Sequence, residues 1–311
     1  MTDFIQLPPT LSLPDLVKEL EGELCANEPM AKHTTWRIGG VADWFYKPAN
    51  LEDLMAFLLR LPDDFPLFFL GLGSNLLVRD GGIRGIVILT SGLLNEINQI
   101  DENTLRVEAG VSCAKIARFS VKAGLSGAEF LAGIPGTLGG ALAMNAGAFG
   151  GEIWKLVGKI EVFDQHGQHY YRSPNDYQIA YRSVKMPENE WFAAANLVLQ
   201  ADIEAATGGQ AKIKALLQQR NETQPIGLPS CGSVFRNPPG DYAARLIEQA
   251  GWKGRHVGGA YVSEKHANFI INQDQATAAD VEKLIEQIQV DIEEKYGILL
   301  KLEVHIVGEA F

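Results

Sequence analysis

Two glycine-rich segments constrain this chain of 311 residues more than any other feature. Seven glycines lie between Gly133 and Gly151, and a second cluster, Leu-Gly-Leu-Gly-Ser-Asn-Leu-Leu-Val, runs from Leu70 to Val78. Backbone without side chains allows main-chain N–H groups to approach an anionic ligand closely. Either segment alone is more typical of a tight turn or of close helix packing. Together they predict a site for a nucleotide cofactor with a diphosphate in its middle.

The two common nucleotide-binding motifs are absent from the sequence. A Rossmann motif needs G-x-G-x-x-G between a strand and a helix, with an acidic residue about 20 positions further on. Gly71 and Gly73 fit it, but Leu76 replaces the third glycine, a turn follows at Arg79–Gly82, and no acid stands at that distance. No G-x-x-x-x-G-K-[ST] occurs, which excludes a P-loop. We therefore expect a different architecture, in which the helix-like stretch 137–148 turns its amino end toward phosphate oxygens.

The composition argues against several classes of partner. A net charge of −11 disfavours nucleic acid and anionic membranes as general partners. No apolar run reaches the ~20 residues of a membrane span, and the N-terminus lacks the features of a signal peptide. Three widely separated cysteines and six scattered histidines predict neither disulfides nor a metal site. We expect a cytoplasmic protein without metal, and the sequence leaves its oligomeric state open.

The order of predicted elements is that of a mixed α+β protein. Helices are predicted from Asn50 to Leu61, from Ser112 to Ala123 and from Thr277 to Tyr296, because each begins at a residue type that caps helices. The pair Gly208-Gly209 predicts a linker, and alternating residues from Leu299 to Val307 predict a final strand. The chain is thus expected to have a larger glycine-rich part and a smaller C-terminal α/β part.

Four polar positions carry candidate chemistry, and each also has a plainer interpretation. Arg182, in a Tyr-Arg-Ser sequence, suits a carboxylate clamp or a solvated surface. Ser233 follows a glycine, where a tight turn exposes its hydroxyl, although no G-x-S-x-G surrounds it. Glu303 alternates with apolar residues, so a solvent-facing carboxylate is the alternative. His266 precedes a buried-looking strand and is equally typical of a strand edge, while Cys231 is predicted to be a packed thiol.

Taken as a set, these motifs resemble the UDP-N-acetylenolpyruvoylglucosamine reductase family, flavoenzymes that complete UDP-N-acetylmuramate in bacterial wall synthesis. Each motif alone has low specificity, whereas the ordered set is highly specific and covers nearly the whole chain after its N-terminal region. In chain order the matching segments are Thr34–Gly40, Leu70–Val78, Gly133–Gly150, Tyr181–Ser183, Pro229–Pro238, Val262–Phe269 and Glu303.

The resemblance implies a two-part FAD-binding unit of the vanillyl-alcohol-oxidase type and a C-terminal α/β substrate-binding domain. It implies FAD-binding subdomains at 1–84 and 85–207 and a substrate-binding domain at 208–298, and it allows the final strand, 299–311, to return to the first subdomain. FAD is expected to be non-covalent, because the glycine loop carries no histidine for attachment. The residues implied to lie at the FAD are Gly71, Gly73, Ser74, Asn75, Ile134, Pro135, Gly136, Thr137, Gly139, Gly140, Asn145, Ala146 and Gly147.

The same resemblance implies a reaction in which NADPH reduces the flavin and UDP-N-acetylglucosamine enolpyruvate then enters the same site. Arg182 and Glu303 are implied to stabilise charge that develops in the transition state, and Ser233 to give a proton to C2 of the substrate. A local excess of bases, five against three acids between residues 231 and 266, is consistent with an anionic substrate. The residues implied to bind the substrate are Tyr181, Arg236, Asn237 and His266.

Two details qualify the resemblance. Some members carry a tyrosine-bearing loop that covers the substrate after the arginine motif, but the stretch between Ser183 and Phe192 is too short for it. The chain therefore resembles the type that lacks this loop. His305 stands where many members have arginine.

Two other functions remain open at this point. The first is another FAD-dependent oxidase or dehydrogenase of the same fold, which would act on hydroxy acids or sugar acids. The second is a flavin-binding module without catalysis. The presence of Arg182, Ser233 and Glu303 together argues against the second.

Overall fold

The computed structural model of the protein describes residues 13–202 and 205–311. Seven α-helices lie within these ranges: α1 Leu13–Leu16, α2 Leu51–Leu58, α3 Cys113–Lys122, α4 Leu138–Met144, α5 Ala205–Thr223, α6 Ala243–Gln249 and α7 Ala278–Tyr296.

Short strands account for most of the remaining regular structure. In chain order they are β1 Glu23–Pro29, β2 Val41–Lys47, β3 Leu67–Leu70, β4 Leu76–Val78, β5 Ile83–Leu89, β6 Ile97–Gln99, β7 Thr104–Glu108, β8 Leu125–Ser126, β9 Gly147–Ala148, β10 Gly151–Glu152, β11 Val157–Asp164, β12 His169–Arg172, β13 Gln178–Ala180, β14 Ser183–Lys185, β15 Glu190–Val198, β16 Gln200–Ala201, β17 His256–Val257, β18 Ala260–Val262, β19 Ile270–Asn272 and β20 His305–Val307. The predicted α+β class is confirmed.

The chain divides into two compact units. Of the described residues, 13–26, 44–71, 85–202 and 205–217 form the first unit, and Asn27–Asp43, Leu72–Arg84 and Gln218–Phe311 form the second. The three-domain division implied by the family resemblance stays a prediction.

The first unit is built on a five-stranded antiparallel sheet in the order β12-β11-β15-β7-β6. Helix α3 begins where the Ser112 side chain accepts a hydrogen bond from the Lys115 N–H, which satisfies an otherwise unpaired donor of the first turn. Its buried residues, among them Ile116, share one hydrophobic core with Val107 of β7 and Leu142 of α4. This core fixes the short helix α4 and, with it, the second glycine-rich segment.

The second unit combines a three-stranded sheet, β17-β18-β19, with the parallel pair β4 and β20 and the long helix α7. A reciprocal capping box of Thr277 and Asp280 starts α7, and Gly297 ends it at a φ of 67°. Buried residues at helical spacing, such as Val281 and Ile285, join the core of this unit. The helix positions predicted from caps at Asn50, Ser112 and Thr277 are confirmed.

Two local predictions are wrong. Gly208 and Gly209 do not form a linker, because both lie inside α5. Gly209 is buried, and a Cβ there would lie 2.7 Å from Cγ2 of Val121 in α3, so the glycine allows this close approach. The predicted final strand is shorter than expected, since only β20 is paired as a strand and Leu302 makes an isolated bridge with Phe235.

The described ranges contain neither a membrane-spanning helix nor a cluster of metal ligands. None of the helices there has the length and the apolar character needed to cross a bilayer. The same residues contain no group of three or more His, Cys, Asp or Glu side chains suited to a metal ion.

Candidate active site

The first glycine-rich segment starts at the end of β3 in the first unit. Strand β3 pairs in parallel with residues 86–89 of β5, and the Leu70 carbonyl accepts a hydrogen bond from the Thr90 N–H at 2.9 Å. Gly71 then lies against Thr137 so closely that a Cβ on the glycine would be 2.7 Å from the threonine Oγ1. The two glycine-rich segments are therefore in contact within the first unit.

The amino end of α4 is occupied by protein acceptors. The N–H groups of Leu138 and Gly139 donate to the carbonyls of Val111 and Ala109, each at 2.8 Å, and the Thr137 side chain accepts from Gly140. These donors are thus used within the protein, contrary to the expectation that the helix end faces a phosphate.

Other backbone donors in the first unit are open. Within the described part of the chain, no acceptor is found for the N–H groups of Gly71, Gly136 and Thr137. Ile134 and Pro135 connect this stretch to the preceding 3₁₀ helix, Glu129–Gly133. Unpaired N–H groups in turns of this kind are the donors that bind anionic oxygens.

Asn145 ends α4 in the left-handed conformation, at a φ of 48°. Its side-chain Nδ2 donates to the Ala180 carbonyl at 3.1 Å. Its Oδ1 is buried and has no hydrogen-bond donor among the described residues, which leaves an acceptor for a bound group. The next residue, Ala146, is buried, and Gly147 is the first residue of β9.

Arg182 is held by the carbonyl groups of this same segment. It lies with Tyr181 in the two-residue turn between β13 and β14, at a φ of 52°. Its Nη1 donates to the Asn145 carbonyl at 3.2 Å and its Nη2 to the Gly147 carbonyl. The exposed Tyr181 ring lies 5.3 Å from the guanidinium carbon. Arg182 is half-buried, so its charge is fixed beside the second glycine-rich segment.

The second unit contains the remainder of the first glycine-rich segment. Gly73 has a φ of 58°, and a Cβ there would be 2.1 Å from the His33 carbonyl, so only glycine fits. The N–H groups of Gly73 and Ser74 lack acceptors among the residues described here. Asn75 bonds to two residues near the C-terminus, since its Nδ2 donates to the Glu303 carbonyl at 2.9 Å and its own carbonyl accepts from the His305 N–H at 3.0 Å.

A second segment of this unit, Ser233–Arg236, pairs with residues 301–303. The Glu303 N–H donates to the Val234 carbonyl at 2.8 Å, and the Arg236 N–H donates to the Lys301 carbonyl, also at 2.8 Å. Ser233 is half-buried and follows Gly232, which has a φ of 83° and open space around its Cβ direction. Ser233 and Glu303 are thus held on adjacent, paired backbones.

The substrate residues implied by the resemblance have distinct surroundings. The Nε of Arg236 is buried without an acceptor among the described residues, so it can bond to a ligand. The Asn237 Oδ1 accepts from the Ala243 N–H at 3.1 Å and so caps α6. The half-buried His266 accepts at Nδ1 from the Asn268 N–H at 3.3 Å, which places its proton on Nε2. Burial, with the Lys253 charge, lowers the pKa of His266 and keeps its ring neutral.

Two further titratable groups near this segment are a thiol and an imidazole, those of Cys231 and His305. Cys231 is buried, and burial, with the Glu303 charge, raises the pKa of its thiol well above the usual value. It is therefore the packed thiol that the sequence predicted. His305 is exposed, but partial desolvation of its ring and the nearby Arg236 lower its pKa.

The predicted site residues fall into two sets by unit. Those of the first unit are Gly71, Ile134, Pro135, Gly136, Thr137, Gly139, Gly140, Asn145, Ala146, Gly147, Tyr181 and Arg182. Those of the second unit are Gly73, Ser74, Asn75, Ser233, Arg236, Asn237, His266 and Glu303.

One buried polar residue of the second unit, Asn268, was not among the predicted site residues. Asn268 is 4% exposed and makes two side-chain hydrogen bonds to the Phe235 backbone. The sequence did contain a signal for Asn268: it is a polar residue inside the apolar run Ala-Asn-Phe-Ile-Ile. A buried amide needs hydrogen-bond partners, so such a residue indicates specific contacts.

The residues present fit an FAD. Anionic diphosphate oxygens suit the unpaired N–H groups of Gly71, Gly136 and Thr137 in the first unit, and the buried Asn145 Oδ1 of the same unit suits a ligand N–H or O–H. Residues 42–170 match the family model described as FAD binding domain. Fold and site together define an FAD-dependent oxidoreductase. Residues 224–307 match the model described as UDP-N-acetylenolpyruvoylglucosamine reductase, C-terminal domain.

Relatives with high identity support the same assignment. The UDP-N-acetylenolpyruvoylglucosamine reductase of Alkalilimnicola ehrlichii is 59% identical over 289 residues, which cover 93% of this chain and 96% of the relative. That of Legionella pneumophila is 54% identical over 295 residues, 94% and 95% of the two chains. A crystal structure of the reductase from Thermus caldophilus has a TM-score of 0.76 at 32% identity, and the match covers 92% of this chain and 99% of that one. The chain belongs to the UDP-N-acetylenolpyruvoylglucosamine reductase family.

Proposed function

We propose that this protein uses NADPH and bound FAD to reduce UDP-N-acetylglucosamine enolpyruvate to UDP-N-acetylmuramate, a precursor of peptidoglycan. Membership in the reductase family gives the reaction class. The observation that carries the assignment is the 2.8 Å hydrogen bond from the Glu303 N–H to the Val234 carbonyl, because it holds Glu303 beside the segment of Ser233.

The cofactor would bind at the glycine-rich segments without a covalent bond. Backbone N–H groups of Gly71, Gly136 and Thr137, which all lie in the first unit, are the proposed donors for its diphosphate. The family resemblance implies Gly73 and Ser74 of the second unit as further FAD-binding residues. When bound, FAD would take a hydride from NADPH and supply it to C3 of the enol ether. The predicted non-covalent attachment and the predicted loop-lacking type belong to this proposal.

Ser233 is proposed to donate a proton to C2 of the substrate. Hydride addition at C3 breaks the carbon–carbon π bond and shifts its electron pair toward C2 and the adjacent carboxylate. A serine hydroxyl is a weak acid, but a carbanion-like centre is a strong base, so the transfer is downhill. Solvent then returns a proton to the Ser233 oxygen. The balance consumes one NADPH and one proton for each sugar reduced.

Arg182 and Glu303 are proposed to stabilise the charge that develops on the substrate. The Arg182 guanidinium is already oriented by the Asn145 and Gly147 carbonyls, so little reorganisation is needed when charge appears. Glu303 acts by carrying a proton or by orienting a neighbour.

The substrate is proposed to bind through four further side chains. The buried, unpaired Nε of Arg236 suits its diphosphate, next to Asn237. Tyr181 and His266 complete this set. A nucleotide-sugar precursor as substrate also agrees with the predicted cytoplasmic location, which stays a prediction.

Spectroscopy of the purified holoenzyme tests this function. The yellow protein should lose its band near ~450 nm on addition of NADPH and recover it anaerobically only with the enolpyruvyl sugar. Rapid oxygen consumption with hydroxy acids or sugar acids, without the enolpyruvyl sugar, would identify an oxidase of the same fold. A flavin that NADPH does not reduce would identify a binding module.

A further inference from the structure

The Asn268 side chain lies beside the segment that carries Ser233. Its Oδ1 accepts from the Phe235 N–H at 2.9 Å, and its Nδ2 donates to the Phe235 carbonyl at 2.8 Å. The Asn268 carbonyl also accepts from the Val234 N–H at 2.9 Å. One asparagine therefore makes three hydrogen bonds to the backbone of two consecutive residues.

The Asn268 side-chain amide makes the two backbone hydrogen bonds that a neighbouring strand would otherwise make to Phe235. Successive residues of an extended backbone direct their N–H and C=O groups to opposite sides. On one side of Phe235, the Val234 carbonyl and the Arg236 N–H bond to Glu303 and Lys301. The chain bends at Val234, and its N–H donates to the Asn268 carbonyl instead. On the other side, the backbone groups of Phe235 have the Asn268 side chain as their partner. Phe235 is 1% exposed, so water cannot take this place.

We propose that Asn268 is a positioning residue for the reductase reaction: it fixes the backbone on which Ser233 and Arg236 stand, and so sets the direction of the Ser233 hydroxyl. The proposal rests on the proposed function of Ser233 as proton donor. A hydroxyl that delivers a proton to one face of a carbon must be held within a fraction of an ångström, and a misplacement of about 1 Å costs up to about 100-fold in rate.

The chain supplies a matched control in Asn272. Its side chain also bonds to backbone in the second unit: Nδ2 donates to the Trp36 carbonyl at 3.0 Å and to the Arg37 carbonyl at 3.5 Å, and Oδ1 accepts from the Ala276 N–H at 2.9 Å. Asn268→Ala and Asn272→Ala thus remove the same chemistry, but only the first removes it beside Ser233. A general loss of stability should affect both variants alike.

The first measurement follows hydrogen–deuterium exchange of residues 233–236 in each holoenzyme. Asn268→Ala should accelerate this exchange by about fivefold or more, the value of one lost hydrogen bond, and Asn272→Ala should not. This readout needs neither substrate nor turnover. Unchanged exchange in Asn268→Ala overturns the proposal.

The second measurement separates the two half-reactions. Asn268→Ala should leave reduction of the flavin by NADPH unchanged and slow its reoxidation by the enolpyruvyl sugar about 10- to 100-fold. In a Ser233→Ala background, and at saturating sugar so that binding by Arg236 does not limit the rate, the same change should add less than about twofold, because both changes then act through one hydroxyl. Additive losses, or equal slowing in Asn272→Ala, overturn the positioning role.

A conservative variant covers the case in which the alanine variant does not fold. Asn268→Asp keeps the volume and the acceptor for the Phe235 N–H but loses the donor to the Phe235 carbonyl, so the same pattern should appear. If the wild-type flavin is not reoxidised by the sugar, the proposed function is wrong, and the exchange measurement alone decides whether Asn268 holds the segment.

Discussion

Gly71 and Thr137 lie so close together that a Cβ on the glycine would be 2.7 Å from the threonine Oγ1. Thr137 is 2% exposed and its hydroxyl caps α4. The Thr137 side chain therefore cannot rotate away from Gly71 without losing the hydrogen bond that caps α4. The absence of a side chain at residue 71 is a requirement of packing between the two glycine-rich segments, in addition to any contact with a ligand.

Gly71→Ala is expected to weaken FAD binding. The extra methyl forces the two segments apart, and such overpacking costs about 1–3 kcal/mol, so the FAD dissociation constant should rise about 10-fold or more. The ratio of flavin to protein absorbance after purification, and fluorescence of released FAD, measure this change. Gly208→Ala is the control, because a Cβ there meets nothing within 4 Å. Normal flavin content in Gly71→Ala would contradict the argument.

The two adjacent glycines of α5 should respond oppositely to alanine. Gly208 is exposed within the helix, so Gly208→Ala should stabilise the protein by about 0.5–1 kcal/mol. Gly209→Ala places a methyl 2.7 Å from Cγ2 of Val121 and should destabilise it by about 1–3 kcal/mol. Urea unfolding of both variants gives the comparison, and a stabilised Gly209→Ala would show that α3 and α5 adjust without cost.

The same two glycines illustrate what the sequence can predict. Helix starts at Ser112 and Thr277 were predictable, because a cap and its partner lie within four residues of each other. The glycine pair was misassigned as a linker, because the reason for Gly209 is a side chain 88 positions away in sequence, on α3. Local patterns report local structure, and contacts over such distances are visible only in the fold.

The candidate site likewise has features that the sequence predicts and features that only the fold shows. The glycine-rich segments, Arg182, Ser233 and Glu303 were found from motifs and a family resemblance. Two further features could not be found in this way: the pairing of Val234 with Glu303, across about 70 residues of sequence, and the contacts of Asn268 with Phe235. No spacing rule connects residues so far apart in sequence. The structure thus added the connections between the predicted residues, and one residue, Asn268, that no motif had indicated.

Ser233→Ala should separate the two half-reactions. Reduction of the flavin by NADPH should proceed as in the wild type, because it needs no proton from this hydroxyl. Reoxidation by the enolpyruvyl sugar should slow about 10²- to 10³-fold, the usual cost of one transition-state donor. Stopped-flow absorbance under anaerobic conditions measures each step. Ser126→Ala, at an exposed hydroxyl bonded to the Gln200 carbonyl, should change neither, and full turnover in Ser233→Ala would remove the proton-donor role.

Arg236→Ala should weaken substrate binding more than it slows the chemical step. A charge-assisted hydrogen bond is worth about 1.5–3 kcal/mol, so the dissociation constant of the enolpyruvyl sugar should rise about 10- to 100-fold. Titration calorimetry or the sugar dependence of reoxidation measures it. Arg245→Ala is the matched control, since Arg245 is exposed and its guanidinium bonds to Asp241, four residues earlier in the sequence. Equal affinities in the Arg236→Ala and wild-type proteins would exclude a diphosphate contact.

His266 should make folding stability depend on pH. Burial lowers the pKa of its ring from the usual 6.5, with Lys253 acting in the same direction and Glu248 against it. The unfolded chain therefore takes up a proton first as the pH falls below about 6.5. Stability has its full value above that pH, decreases as the pH falls toward the lowered pKa, and levels off below it. His305 contributes in the same direction.

His266→Gln removes one of these two contributions. Between about pH 7.5 and 5.5 the free energy of unfolding should fall less steeply in the variant than in the wild type. The two slopes should differ by at most about 1.4 kcal/mol per pH unit, the limit for one proton. Urea titrations at several pH values measure both slopes. Lys18→Gln, at an exposed surface pair, should retain the wild-type slope over this range. If His266→Gln retains it as well, the imidazole titrates alike in the folded and unfolded chains, and burial does not disfavour its charged form.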